Sequence, residues 1–391
     1  MKITDLKVAV LQGNFEWMLI RVDTDEGLSG YGEAFAAWRT REWFKPIALG
    51  LKDALVGEDP TDVERLWAKM GPSPRSGPLV QVISGVEMAL WDIAGKALGA
   101  PVYKLLGGKW RDSIRVYCDC HAGTPIASRT DYSVDKRENY TPQAYAENAR
   151  RVKRLGFTFL KFDLYSNIAS LGGRPRPGEG YLDDAAIKFL ASLVEGAREA
   201  VGDNTDLAMD FGGYAVSDAI RLANALEPYH LVWVEDVVPQ EYNAATFREV
   251  TRAVKTPTLT GELLYTRQGF RELIEQQAVR IVAPDLSYTG GLAEGKKIAE
   301  LAGLYAMHAA PHNICSPIGT MAVVHACAAM PNLLALEFHA VAVPWWNDLV
   351  KGTQPLIQDG YIKVPDGPGI GVELNEDEAK KHLLPGETLF E

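Results

Sequence analysis

From residue 113 onward the chain keeps a rhythm that few architectures can absorb. Short apolar segments recur at "SIRVYCDC", "FTFLKFDL", "TDLAMDF", "LVWVEDV", "TPTLTGE", "RIVAPDLS", "YAMHAAPH" and "LLALEFH". Between them lie amphipathic helical patterns such as "TPQAYAENARRVKRLG", "LDDAAIKFLASLVEGAREAVG" and "NAATFREVTRAV". Eight strands alternating with seven helices, at intervals of roughly 22 to 48 residues, are the pattern of a parallel α/β barrel. A doubly wound open sheet shares the alternation, but it should carry a glycine-rich phosphate loop after its first strand. None is present.

A barrel takes about 200 to 250 residues, so a chain of 391 has room for a second unit. Residues 1–115 read as antiparallel strands followed by helices. "WMLIRVDTDEG" and "LSGYGEAF" predict a hairpin turning at Asp25, Glu26 and Gly27. Helical patterns follow at 38–56, 61–70 and 84–98, the last expected to open on a capping box of Ser84 and Glu87. After residue 340 the chain is turn-rich and is expected to return to the N-terminal unit. The expected division is a capping domain at 1–115, completed by 340–391, and a barrel at 116–339.

The formal charge of −11 argues against a nucleic-acid or anionic-membrane partner, which would want a basic face. A small anionic substrate remains compatible, because a site can be locally positive or hold a metal. No apolar run approaches the ~20 residues of a bilayer span. "MKITDLKVAV" has charges where a signal peptide needs its apolar core, so a cytoplasmic protein is expected. Cys118 and Cys120 share a strand face, but no second Cys/His pair completes a metal site. Buried reduced thiols are the expectation for all four cysteines. A homo-oligomer of undetermined order is also expected.

The strand ends carry the chemistry. Three of them end in Asp210, Glu235 (with Asp236 next) and Glu262, one βα unit apart. In a barrel these ends are neighbours around one mouth, where three carboxylates repel unless a cation sits among them. Oxygen ligands of this kind suit Mg²⁺. Any one such acid could simply cap the next helix, but three in consecutive units point to a metal. The next strands end in Asp285, His312 and Glu337. An Asp on one imidazole nitrogen fixes the tautomer and leaves the other nitrogen free to take a proton. His308, on an apolar strand, reads as a core residue. Lys161 and Asp163 share a face of the second barrel strand. Metal, His–Asp base, lysine and a further acid together suit abstraction of a proton next to a carboxylate. A protonated Glu337 could donate a hydrogen bond to the developing enolate.

With these residues in place the chain resembles the enolase superfamily, mandelate racemase subgroup, over essentially its whole length. The resemblance is carried by "SGVEMALWDIAGKALGAPVYKLLGG", by the acids of "LAMDF", "VWVED" and "LTGE", and by "APHNICSPIGTMAVVHACAAMPNLLALEFH". It implies a (β/α)7β TIM-like barrel with an α+β capping domain formed by the N-terminal region and the C-terminal tail. It implies Mg²⁺ on Asp210, Glu235 and Glu262, a base of His312 with Asp285, and Glu337 as the acid near the substrate carboxylate. The first loop of the capping domain and the segment from Phe35 to Trp38 would close over the substrate.

Two departures shape the expected reaction. Racemases of the subgroup have a second lysine where this chain has Asp163, and muconate-lactonizing relatives need a lysine where it has Asp285. Several sugar-acid dehydratases, galactonate types among them, use a histidine as leaving-group acid where this chain has Gly212, so either another group protonates the departing hydroxyl or His312 does both jobs in a syn elimination. With one recognisable base, elimination is favoured: an acid-sugar dehydratase acting on a gluconate- or galactonate-like acid, giving a 2-keto-3-deoxy product. A racemase or epimerase and a non-catalytic ligand-binding relative are the alternatives. Lys161 is expected near the substrate carboxylate, with Asp163 holding Lys161 or a substrate hydroxyl. His121, His339, Tyr165 and Asn313 are the other candidates for contact with substrate or leaving group.

Overall fold

The computed structural model describes residues 1–37, 39–124, 137–165, 181–352 and 354–391. The chain opens on a three-stranded antiparallel sheet of β1 (Ile3–Gln12), β2 (Glu16–Thr24) and β3 (Ser29–Ala37). The hairpin between β2 and β3 turns where expected, with Gly27 at a left-handed φ of 79°. Five helices follow: α1 (Thr40–Gly50), α2 (Lys52–Leu55), α3 (Val63–Met70), α4 (Pro78–Ala97) and α5 (Val102–Leu105).

Helix α4 lies on the sheet almost backbone to backbone. A Cβ at Gly32 would stand 2.0 Å from the Gly85 carbonyl oxygen, and one at Gly30 would stand 2.1 Å from that of Ala89. Neither obstacle is a side chain that can swing away. Gly32→Ala is therefore expected to destabilise the fold by at least ~1–3 kcal/mol, read as a lower thermal midpoint. A wild-type melt would contradict this packing.

The start of α4 corrects one expectation. It begins at Pro78, the first helical position after Gly77, because proline's fixed φ and missing N–H suit that place. Ser84 and Glu87 therefore lie mid-helix and form no capping box. Their side chains reach out of the domain: Ser84 Oγ accepts from the Gly290 N–H (2.8 Å), and Glu87 meets a helix of the barrel.

The barrel strands are β4 (Ser113–Asp119), β5 (Phe159–Asp163), β6 (Asp206–Asp210), β7 (Val234–Glu235), β8 (Thr258–Thr260), β9 (Ile281–Val282), β10 (His308–Ala309) and β11 (Leu336–Phe338). Helices α6 (Pro142–Arg154), α7 (Asp184–Val201), α8 (Val216–Leu226), α9 (Ala244–Ala253), α10 (Thr266–Glu275), α11 (Leu292–Gly303) and α12 (Pro317–Ala328) alternate with them. Neighbours from β4 to β10 pair in parallel and in order, and β11 pairs back with β4. Leu334 N–H to Ala309 O (2.8 Å) and Glu337 N–H to Pro311 O (3.1 Å) close the last seam. This is the (β/α)7β barrel.

Inside it, Tyr117, Phe159, Trp233, Leu259 and Ile281 form an apolar plug. The tail binds both units: β12 (Tyr361–Lys363) pairs with β4, and Leu384 N–H donates to Val10 O in β1 (2.8 Å). His308 is not a core residue. It is exposed, because its two-residue strand starts at the rim of the barrel opposite the mouth. The four cysteines are free and buried. Among the described residues no helix is long and apolar enough to cross a membrane.

Candidate active site

Strand alternation sorts the inward side chains into layers. On the chain of β4 the inward residues are Tyr117, Asp119 and His121; on β5 they are Phe159, Lys161 and Asp163. Asp119 stands opposite Lys161 in the parallel register, and Asp163 opposite Asp210. Directly above the apolar plug lies Lys161, 2% exposed. Its ammonium is 2.7 Å from Glu337 Oε1, 3.2 Å from Glu235 Oε1 and 3.3 Å from Asp119 Oδ2. Burial pulls the Lys161 pKa down, but Glu235, Glu337 and Asp119 outweigh it and hold it well above the usual value. Lys161 is thus a fixed positive charge at the floor of the mouth.

Beside it, carboxylate oxygens of Asp210, Glu235 and Asp236 lie within 4.8 Å of one another, all buried, in an arrangement able to hold a metal ion. Burial and neighbouring carboxylates push Asp210 and Asp236 well above the normal range. Burial also raises Glu235, against the pull of Lys161. Three such acids cannot all ionise without a compensating cation. Asp236 was not foreseen as part of this group. Its backbone takes a left-handed φ of 44° directly after β7, which breaks the strand alternation and lets two consecutive acids reach one place. Glu262 stands at the edge of the cluster. Its Oε1 accepts from Gln240 (3.2 Å), and its Oε2 lies 3.4 Å from His312 Nε2.

His312 Nδ1 is 2.7 Å from Asp285 Oδ2, while Asp285 Oδ1 accepts from Ser287 N–H (2.7 Å) and Oγ (2.5 Å). With Nδ1–H donated to Asp285, Nε2 is the nitrogen facing Glu262 and, at 3.7 Å, Glu337. Burial lowers the His312 pKa, but Glu262, Glu337 and Asp285 together raise it well above the ordinary value. Burial pushes Glu337 up to about 7, against Lys161 and His312. Its Oε2 is held by the Asn313 N–H (3.3 Å), and the Asn313 amide nitrogen is occupied by Thr320 (3.0 Å) and the Glu337 carbonyl (3.2 Å).

The chain itself matches known proteins over its full length. Residues 8–107 match the mandelate racemase/muconate lactonizing enzyme N-terminal domain, and residues 144–378 match the enolase C-terminal domain-like family. The chain belongs to the mandelate racemase/muconate lactonizing enzyme family. It is 41% identical to a D-xylonate dehydratase of Haloferax volcanii over 100% of this chain and 91% of the relative. It is 30% identical to a D-galactonate dehydratase of Ralstonia pickettii over 96% and 93%. A mandelate racemase/muconate lactonizing enzyme-like protein of Rubrobacter xylanophilus superposes with a TM-score of 0.91 at 37% identity, covering 100% of this chain and 99% of that one.

Two of the sequence-derived positions take places that differ from their expected roles. Asp163 does not hold Lys161, as its spacing suggested, because the two sit in different layers. Its Oδ2 bonds His121 Nδ1 instead, while Lys161 bonds Asp119. Gly212, at φ 60°, packs under Tyr165, whose ring carbon lies 2.4 Å from where a Cβ would stand. A side chain there would have to displace the Tyr165 ring. The Tyr165 hydroxyl donates to Asp210 Oδ2 (3.1 Å).

The remaining candidates divide between the two domains. His339 rests edge-on against Phe15 and within 3.4 Å of Asn14 Nδ2, both from the first loop of the capping domain. Burial lowers its pKa to about 4, so the ring is neutral. Phe35 reaches over the dyad, its ring 6.1 Å from that of His312. Trp38 lies outside the described residues. Asp119, missed in the sequence, organises one wall: its Oδ1 accepts from the His121 N–H (2.7 Å), and its Oδ2 faces Lys161 and His339. Its inward alternation with Tyr117 and His121 is the signal that would have found it.

Proposed function

We propose that this protein is a Mg²⁺-dependent dehydratase of acid sugars, converting an aldonic acid to its 2-keto-3-deoxy product. The observation that carries this reading is the His312–Asp285 pair facing a buried all-carboxylate cluster across a lysine floor. Relatives named for D-xylonate and D-galactonate dehydration support it. Asp210, Glu235 and Glu262, with Asp236 beside them, would hold the ion, and hard carboxylate oxygens fit Mg²⁺. A bound divalent cation supplies charge compensation for these acids and stabilises the enolate oxygens.

The chain's own residues do the rest. His312 Nε2 takes the proton α to the carboxylate, with Asp285 stabilising the imidazolium. Lys161 holds positive charge below the enolate, and Glu337, with its raised proton affinity, donates a hydrogen bond to it. The β-hydroxyl then leaves. Incubation with Mg²⁺ and a set of aldonic and aldaric acids, D-xylonate first, should yield α-keto acid. Exchange of the α-proton for deuterium with no keto acid from any of them would instead favour a racemase. The second His–Asp pair, at His121 and Asp163, is the feature that such a reading would use.

A further inference from the structure

The dehydratase reading leaves the departing hydroxyl without an acid, and the structure narrows the choice. Gly212 has no side chain, and Tyr165 fills the space above it. The Tyr165 proton is committed to Asp210. The His339 ring is packed edge-on against Phe15, with Nδ1 3.4 Å from the Asn14 amide nitrogen and Nε2 3.4 Å from the Asp119 carboxylate, so both its nitrogens are already faced.

We propose that His121, oriented by Asp163, is the group that protonates the leaving hydroxyl; this rests on the dehydratase reading. Both residues are buried on inward positions one layer above Lys161, at the mouth ends of β4 and β5. His121 has a left-handed φ of 58°, which ends the strand, and its N–H is fixed on Asp119. Asp163 is fixed in turn, its N–H on the His121 carbonyl (2.7 Å) and its own carbonyl on the Tyr145 hydroxyl (2.7 Å). The imidazole is bonded through Nδ1 to a carboxylate, as in the His312–Asp285 pair. In the closed barrel the two pairs flank β11, one on β9 and β10, the other on β4 and β5. The substrate's α-proton and β-hydroxyl are one carbon apart, and a mouth with a carboxylate-oriented imidazole on each side of Glu337 can serve both.

The step balances without a co-reactant. The α C–H electrons form the new C=C bond as His312 takes the proton. The β C–O bond breaks with its electrons on oxygen, which takes a proton from His121 and leaves as water. The enol gains a proton at C3 and loses its hydroxyl proton as it becomes the ketone. His312 and His121 then exchange protons with solvent.

The test compares leaving groups. Wild type, His121→Asn and Asp163→Asn are assayed with D-xylonate, or whichever acid the wild type dehydrates, and with its 3-deoxy-3-fluoro analogue. Fluoride departs without a proton. General-acid loss typically removes ~10²- to 10⁴-fold in rate, so His121→Asn should lose water elimination by that factor yet release fluoride near the wild-type rate. Asp163→Asn should move the same way by less, and both should keep α-proton exchange in deuterated water. Undiminished dehydration by His121→Asn, or parallel loss of both eliminations in both variants, overturns the assignment. A wild type that makes keto acid from no sugar acid removes the dehydratase reading itself.

Discussion

A His312→Asn variant is expected to lose ~10²- to 10⁴-fold in turnover while melting like the wild type. The residue is 7% exposed and touches the cavity through one nitrogen only, the other being bound to Asp285 at 2.7 Å. Asparagine preserves a polar group there but cannot accept a proton at neutral pH. Asp285→Asn should fall by a comparable factor for a different reason. Its amide would donate to Nδ1 and drive the ring proton onto Nε2, the wrong tautomer for a base. Both variants should lose α-proton exchange in deuterated water, which separates them from variants impaired only at the leaving group. Exchange at the wild-type rate in His312→Asn would sink the assignment.

Removing the divalent ion should abolish activity and lower stability together. Asp210, Glu235 and Asp236 are buried, mutually close and pushed towards protonation by burial and by one another. An ion binding only the folded state adds stability as RT ln(1 + [L]/Kd), about 2.7 kcal/mol at a hundredfold excess over Kd. Exhaustive chelation should therefore drop both turnover and the thermal midpoint, and added Mg²⁺ should restore both. The pH dependence has a definite sign. Glu33, Glu87 and Glu337 rise from 4.5 unfolded to about 7 folded, because burial disfavours their charge. A raised folded pKa means stability present below about 4.5 and lost as pH climbs to about 7. The chelated protein should thus weaken from pH 5 to 7, and Mg²⁺ should help most at the upper end. Full activity and an unshifted melt after chelation would refute the metal site.

Much of this architecture could be read from the chain because its signals were local. Period-two apolar runs and helical stripes mark the eight strands and seven helices wherever they lie. The acids at strand ends were legible because βα spacing puts successive ends around one mouth. What failed was partnership at a distance. Ser84 and Glu87 look the same whether they cap their own helix or reach residues 290 and 292 across a domain boundary. Lys161 and Asp163 share a face, but the parallel register of β4 and β5 sets the first beside Asp119 and the second beside His121. Asp236 was hidden because one left-handed residue cancels the alternation rule.

Two buried glutamates of the capping domain end on barrel helices. Glu87 accepts from Leu292 and Ala293 N–H at the start of α11, and Glu33 from Ser316 and Gly319 N–H at the start of α12. Those helices follow the very strands that end in Asp285 and His312. A barrel made without the first hundred residues would leave these donors unanswered beside its own base. The family border at residue 107 is therefore no mechanical boundary: the loops carrying Asp285 and His312 are braced by two carboxylates from the other side of it.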